Sequence, residues 1–93
     1  MSKDIEFKNR DRFIELGLTI AALRKIQGMS QEQLAEKATI SRSHLSSIEA
    51  PNIIRPFSLE VFCNISDALG IDPSELLNTS FLSRKNKKQP PKD

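Results

Sequence analysis

The chain has 93 residues, 38% hydrophobic and 28% charged, values that are typical of one small globular domain. It has no Trp, no Tyr and only five Phe, which argues against a protein that stacks unpaired bases on aromatic side chains. Residues 84–93 carry five basic and one acidic residue, so the net charge of +2 becomes −2 for residues 1–83, and bulk charge gives no sign of nucleic-acid binding.

The first eight residues are polar apart from Ile5 and Phe7, and they predict a flexible N-terminal arm. They lack the apolar run of a secretory signal, and no stretch of the sequence is long enough to span a bilayer. We therefore expect a cytoplasmic protein with no membrane partner.

A first helix is predicted to begin between Asn9 and Asp11 and to end at Gly28, a common C-terminal residue of helices. Gly17 inside it either marks close packing or simply costs about 1 kcal/mol of helix stability. The apolar stripe has the spacing of one buried helical face and consists of Phe13, Leu16, Ile20 and Leu23, flanked by Leu18 and Ile26.

Two short helices follow, with only a couple of residues between them. The first is predicted over Gln31–Ala38, because Ser30 and Gln33 have the spacing of a capping box. The second begins after Ser41, a good N-cap residue, and is predicted to end near Ala50. Two helices so close in sequence must cross at a steep angle, which lets the second project into a DNA groove.

The outward face of this second helix can approach a duplex. Leu45 and Ile48 define its inward direction at about 100° per residue. The side chains that point nearly the opposite way are those of Ser43, Ser47 and Ala50, with that of Ser46 close by. Small residues permit close approach, hydroxyls can bind phosphates or base edges, and the adjoining Arg42 can bind guanine through two hydrogen bonds. The alternative is that a Ser-rich face is merely solvated.

The rest of the chain predicts two more helices. Ser58 caps a fourth helix whose inner face holds Leu59, Phe62, Ile65 and Leu69, with Gly70 as its stop. Asp72 and Pro73 start a short fifth helix that ends near Asn78. No segment alternates with a period of two, so we predict an all-α, five-helix domain over residues 9–83. Residues 84–93 predict a basic, disordered tail.

Residues 31–48 resemble the helix-turn-helix of the lambda and Cro repressor family, also called XRE-like. The small Ala35 matches the position where the two helices touch. Buried positions of the family match Leu34, Ala38, Ile40, Leu45 and Ile48. The segment ISDALGIDPSELL resembles the fourth and fifth helices of that family, so the similarity covers residues 20–77. The resemblance implies a lambda-repressor-like domain that binds double-stranded DNA.

The resemblance also implies roles for particular residues. Gln31 would bind a phosphate, and the loop residue Arg55 would touch the DNA backbone. Those facing the major groove would be Ser41, Arg42, Ser43 and Ser47. His44 is either a further phosphate contact or a plain surface histidine. Arg24 and Glu49 match a buried ion pair of the family, and Glu49 does lie on the inward side of its helix.

Two features depart from the family pattern. Thr39 occupies a turn position where the family usually has Gly, and a β-branched residue there is costly if φ is positive. The loop from Ala50 to Phe57 lacks the usual Gly and is about two residues longer than the family usually has. It also places Ile53 and Ile54 where exposed polar residues are expected. We therefore expect either strain or an adjusted turn at Thr39.

Catalytic and metal-dependent functions find no support in the sequence. Cys63 is the single cysteine, His44 the single histidine, and no nucleophile–base pair or phosphate-binding Gly loop is present. We predict no enzyme, cofactor, metal or small-molecule ligand. The prediction is a DNA-binding transcription regulator, a repressor acting as a homodimer on a palindromic operator, paired through the last helix with Phe81 and Leu82. The alternative is a protein-interaction module of antitoxin or bridging type.

Overall fold

The computed structural model describes residues 9–53 and 56–80. Within them the chain forms five α-helices and no strand, which confirms the predicted fold class. The helices are α1 (Arg10–Ile26), α2 (Gln31–Ala38), α3 (Arg42–Glu49), α4 (Leu59–Leu69) and α5 (Pro73–Ser80). None of these helices is long and apolar enough to cross a membrane. The predicted arm and tail, together with Ile54, Arg55, Phe81 and Leu82, lie outside the described residues.

Side-chain caps set where the middle helices begin. Ser30 Oγ accepts a hydrogen bond from the Gln33 amide at 3.1 Å, and Gln33 Oε1 accepts one from the Ser30 amide at 2.8 Å. Ser41 Oγ accepts from the His44 amide at 3.0 Å, and Ser58 caps α4 in the same manner. Each such cap stabilises its helix by about 1 kcal/mol. The predicted starts of α2, α3 and α4 are therefore correct, whereas α5 runs on to Ser80 instead of ending near Asn78.

The core lies where α1 packs on α3 and α2 packs on α4, with α5 closing one end against α1 and α4. Its fully buried large side chains are those of Ile20, Leu34, Leu45, Ile65 and Leu76. Leu59, predicted on the inner face of α4, is 73% exposed, so that prediction is wrong. Ile26 and Leu18, predicted to flank the buried stripe of α1, are also exposed, at 79% and 46%. Leu59 is the first residue of α4, where the helix emerges from the core, so its place on the helical face does not bury it.

Gly17 lies at the closest approach of α1 to α3. A Cβ atom built on Gly17 would lie 2.0 Å from the carbonyl oxygen of Ile48, far inside van der Waals contact. The glycine therefore marks close packing, and the missing side chain allows α1 to contact the backbone at the end of α3. This contact fixes how far α3 stands from the core.

The turn between α2 and α3 keeps the left-handed geometry that the family usually assigns to Gly. Thr39 has φ 57° and ψ 41°, and it is the single non-glycine residue with positive φ among the described residues. The amides of Thr39 and Ile40 donate to the carbonyls of Glu36 and Ala35, which closes the end of α2. The turn is thus not adjusted, and the β-branched side chain bears the strain.

Thr39→Gly is expected to raise the free energy of unfolding by about 1 kcal/mol, because relief of left-handed strain outweighs the extra chain entropy of Gly. Urea denaturation measures the change. Thr39→Ala removes the β-branch but keeps Cβ, so we expect its free energy of unfolding to lie between those of the parent and of Thr39→Gly. A Thr39→Gly variant less stable than the parent would contradict this account of the turn.

Candidate nucleic-acid interface

The outer face of α3 is open to solvent. Ser41, Arg42, Ser43 and Ser46 are exposed, and His44 and Ser47 are half-buried. The opposite face is anchored in the core by Leu45 and Ile48. Glu49, the acid of α3, is buried, so the open face carries Arg42 and hydroxyl groups without a carboxylate. The structure thus brings Ser41, Arg42, Ser43 and Ser47 together on one short, accessible helix.

Two of the hydroxyls on α3 already have internal hydrogen bonds. Ser41 Oγ accepts from the His44 amide, so its own proton remains available for donation. Ser47 Oγ donates to the Ser43 carbonyl oxygen at 3.0 Å, which commits its proton to the helix backbone. Ser47 therefore presents acceptor lone pairs outward, while Ser41 offers a donor at the start of the helix.

Arg24 and Glu49 form the ion pair that the resemblance implies. Arg24 Nε donates to Glu49 Oε2 at 2.9 Å and Arg24 Nη2 donates to Glu49 Oε1 at 3.0 Å, a two-pronged contact between side chains only 9% and 5% exposed. Arg24 Nη1 donates to the Met29 carbonyl oxygen at 2.7 Å. This pair joins the end of α1, the chain before α2 and the end of α3.

Gln31 has a contact that the sequence did not predict. Its Nε2 donates to Glu49 Oε1 at 2.9 Å, so the same carboxylate binds Arg24 and Gln31. Gln31 is half-buried at the first position of α2. The helical pattern placed Gln31 at a helix start and Glu49 on an inward face, but it carried no sign that the two side chains meet.

Comparison with known proteins gives the family. The model of a family described as helix-turn-helix matches residues 20–76, which is more than half of the chain. The chain belongs to the lambda/Cro-type, XRE-like helix-turn-helix family. In this family of transcription regulators, which are not enzymes, α2 and α3 are the two helices of the motif.

The relatives of this helix-turn-helix protein include a phage repressor and restriction-modification controllers. The immunity repressor protein of Bacillus phage phi105 is 40% identical over 67 residues, which are 72% of this chain and 45% of that protein. The chain thus spans less than half the length of this relative.

Solved structures of controller proteins share the fold. The restriction-modification controller C.AhdI from Aeromonas hydrophila is 33% identical with a TM-score of 0.64, covering 69% of this chain and 94% of that one. A mutant of the controller C.Esp1396I has a TM-score of 0.71 at 22% identity, covering 84% of this chain and 97% of that one.

One predicted site residue of this helix-turn-helix protein is outside the described residues. Arg55 lies in the undescribed part of the loop that leads to α4, so its backbone contact stays a prediction. Ile53, in the described part of the same loop, is 49% exposed. Cys63 is a free thiol packed at the edge of the core. Over residues 9–53 and 56–80, no three His, Cys, Asp or Glu residues cluster to hold a metal ion.

Proposed function

We propose that the protein is a cytoplasmic, sequence-specific double-stranded DNA-binding regulator that represses transcription by occupying an operator. The observation that carries the proposal is the open face of α3, where Arg42 and small hydroxyl residues are accessible while the one acid of this helix, Glu49, is buried. The 40% identity to an immunity repressor supports repression over activation.

In this proposal α3 enters the major groove. Arg42 is the residue suited to a bidentate contact with guanine, and Ser43 and Ser47 are small enough to let the helix backbone come close to the bases. Ser41, at the start of α3, would face the major groove beside Arg42, and Gln31, at the start of α2, would hold a phosphate where the helix N-terminus already favours anions. Phosphate contacts fix the register of the protein, and contacts to base edges supply the selectivity.

A homodimer would give the selectivity that one short helix lacks. Two copies related by a two-fold axis read a palindromic operator with half-sites about one helical turn apart. The chain offers an apolar surface for this pairing, where a groove of about 200 Å³ between the start of α1 and α5 is lined by Phe13, Leu16 and Leu77. A second groove extends the same surface towards the exposed Leu59. This surface includes α5, the helix through which the sequence predicts pairing.

Leu77→Lys is expected to convert a dimer into a monomer at tens of micromolar, because it places two charges in the apolar surface that the copies would share. Gel filtration with light scattering measures the mass. Leu18→Lys is the matched control, because Leu18 is 46% exposed on α1 and lines neither groove. If the parent chain is itself monomeric with and without operator, the homodimer proposal is wrong.

Selection of binding sites from random duplex DNA, followed by salt titration of the selected site, tests the function. A repressor of this kind should enrich a palindrome, and its affinity should fall steeply with salt as phosphate counterions are released. The rival function is a protein-interaction module, favoured by the net charge of −2 over residues 1–83 and by the exposed Ile53. Equal binding to all sequences, or a flat salt response, would favour that rival.

Arg42→Ala is expected to reduce discrimination between operator and random DNA by about 1–3 kcal/mol while leaving the fold intact, because Arg42 is exposed. Competition binding with operator and scrambled duplexes measures the discrimination. Lys25→Ala, which removes an exposed charge from the last turn of α1, should leave it unchanged. Equal discrimination by Arg42→Ala and the parent would show that Arg42 does not read a base.

A further inference from the structure

We propose that Arg24 and Glu49 are positioning residues for DNA binding, because their buried ion pair holds the Gln31 amide in the orientation that binds a phosphate. This inference rests on the proposed function and assigns the ion pair a role beyond stability. It follows from one carboxylate that serves two donors from two other helices.

The carboxylate of Glu49 decides which way the Gln31 amide faces. A carboxylate only accepts hydrogen bonds, so the nitrogen end of the Gln31 amide must face it. In the structure, Gln31 Nε2 lies 2.9 Å from Glu49 Oε1. The same nitrogen carries a second N–H, for which the described residues supply no acceptor. Because Gln31 is half-buried at the start of α2, this second N–H is available to a group that arrives from solvent.

Arg24 makes the site tolerable for a phosphate. An unpaired Glu49 carboxylate next to Gln31 would repel a phosphate, since like charges at short range in a partly buried site interact strongly. The guanidinium of Arg24 neutralises that carboxylate through its two-pronged contact. Its third contact, to the Met29 carbonyl oxygen, fixes the chain just before the Ser30 cap of α2.

The ion pair therefore links two parts of the interface. Glu49 is the last residue of α3, the helix proposed to read bases, and Gln31 is the first residue of α2, the helix proposed to hold the backbone. A change that loosens the pair should remove the phosphate contact of Gln31 even in a folded protein. Loss of a hydrogen bond to a charged group corresponds to about a tenfold loss of affinity.

The experiment uses the full chain and operator duplexes that carry one uncharged methylphosphonate at each backbone position in turn. The parent should lose about tenfold in affinity at one particular position. Gln31→Met, which keeps the side-chain length but has no donor, should bind the unmodified operator about tenfold more weakly and be indifferent to that methylphosphonate. Arg24→Met/Glu49→Leu replaces the pair by apolar residues, an exchange that often preserves folding.

If the ion pair positions Gln31, the double variant Arg24→Met/Glu49→Leu should be as indifferent to that one methylphosphonate as Gln31→Met is. Adding Gln31→Met to the double variant should cause no further loss. If the double variant does not fold, Glu49→Gln serves in its place. We expect it to bind the operator about threefold more weakly than the parent, because a neutral amide oxygen is a weaker acceptor than a carboxylate.

Four outcomes would overturn the inference. If the double variant folds and keeps the parent's sensitivity to that methylphosphonate, the ion pair has a purely structural role. The same conclusion follows if the losses of operator affinity caused by Gln31→Met and by replacement of the ion pair are independent and multiply. If Gln31→Met changes the sensitivity to no methylphosphonate position, the inference is refuted. The proposed function would still stand in that case, provided that the parent binds its operator. Failure of the parent to prefer any duplex would refute both.

Discussion

Glu49→Ala is expected to lower the free energy of unfolding by about 3–5 kcal/mol, because it leaves the guanidinium of Arg24 buried without its partner. The two side chains are only 9% and 5% exposed, so water cannot replace the lost carboxylate without opening the structure. Arg24→Ala should cost a similar amount, since it strands the carboxylate instead. Small domains have a total stability of about 5–15 kcal/mol, so either change consumes much of it.

Urea denaturation followed by circular dichroism measures this loss. Glu36→Ala is the matched control, because Glu36 is an exposed acid on α2 and its removal should change stability by less than about 0.5 kcal/mol. Replacing both partners by apolar residues should cost less than either single change, since no buried charge is then left unpaired. A loss below about 1 kcal/mol for Glu49→Ala would mean that the site admits water and that the pair is not buried in solution.

The sequence predicted helix limits well where a side chain closes the helix end. Ser30 with Gln33, and Ser41, form local hydrogen bonds that depend on residues three positions apart, so their effect can be read from the chain alone. The same local reasoning failed for Leu59. A helical projection assigns a direction to each side chain, but it does not say where along the helix axis the core stops.

The site could be predicted only in outline for a related reason. The outward direction of Ser43 follows from its helical position relative to Leu45 and Ile48, and the structure places it at the surface. The hydrogen bond from Gln31 to Glu49 joins residues 18 positions apart through two particular side-chain conformations. Periodicity carries no information on such a meeting, and neither does the identity of either residue.

The tight passage at Gly17 is a second feature that the sequence left open and the structure decides. Glycine inside a helix normally weakens it, so Gly17→Ala would gain about 1 kcal/mol if only helix propensity mattered. The atom that a new Cβ would meet is the Ile48 carbonyl oxygen at 2.0 Å, with the carbonyl carbon at 3.1 Å. Both are backbone atoms, which cannot rotate away as a flexible side chain would.

Gly17→Ala is therefore expected to lower the free energy of unfolding by about 3 kcal/mol, because overpacking forces α1 and α3 apart and exceeds the gain in helix propensity. Operator binding should weaken as well, since the displaced segment includes Glu49, whose carboxylate holds Arg24 and Gln31. Chemical denaturation and operator titration measure the two effects.

Gly28→Ala is the matched control for this overpacking. Gly28 has φ of +76° but nothing within 4 Å of a new Cβ, so that substitution should cost about 1 kcal/mol through backbone strain and leave operator binding unchanged. Equal stability losses for Gly17→Ala and Gly28→Ala would mean that α1 and α3 are farther apart in solution. The outer face of α3 would then owe its position to side-chain contacts, such as those of Leu45, Ile48 and Glu49, and not to the contact between the two helix backbones.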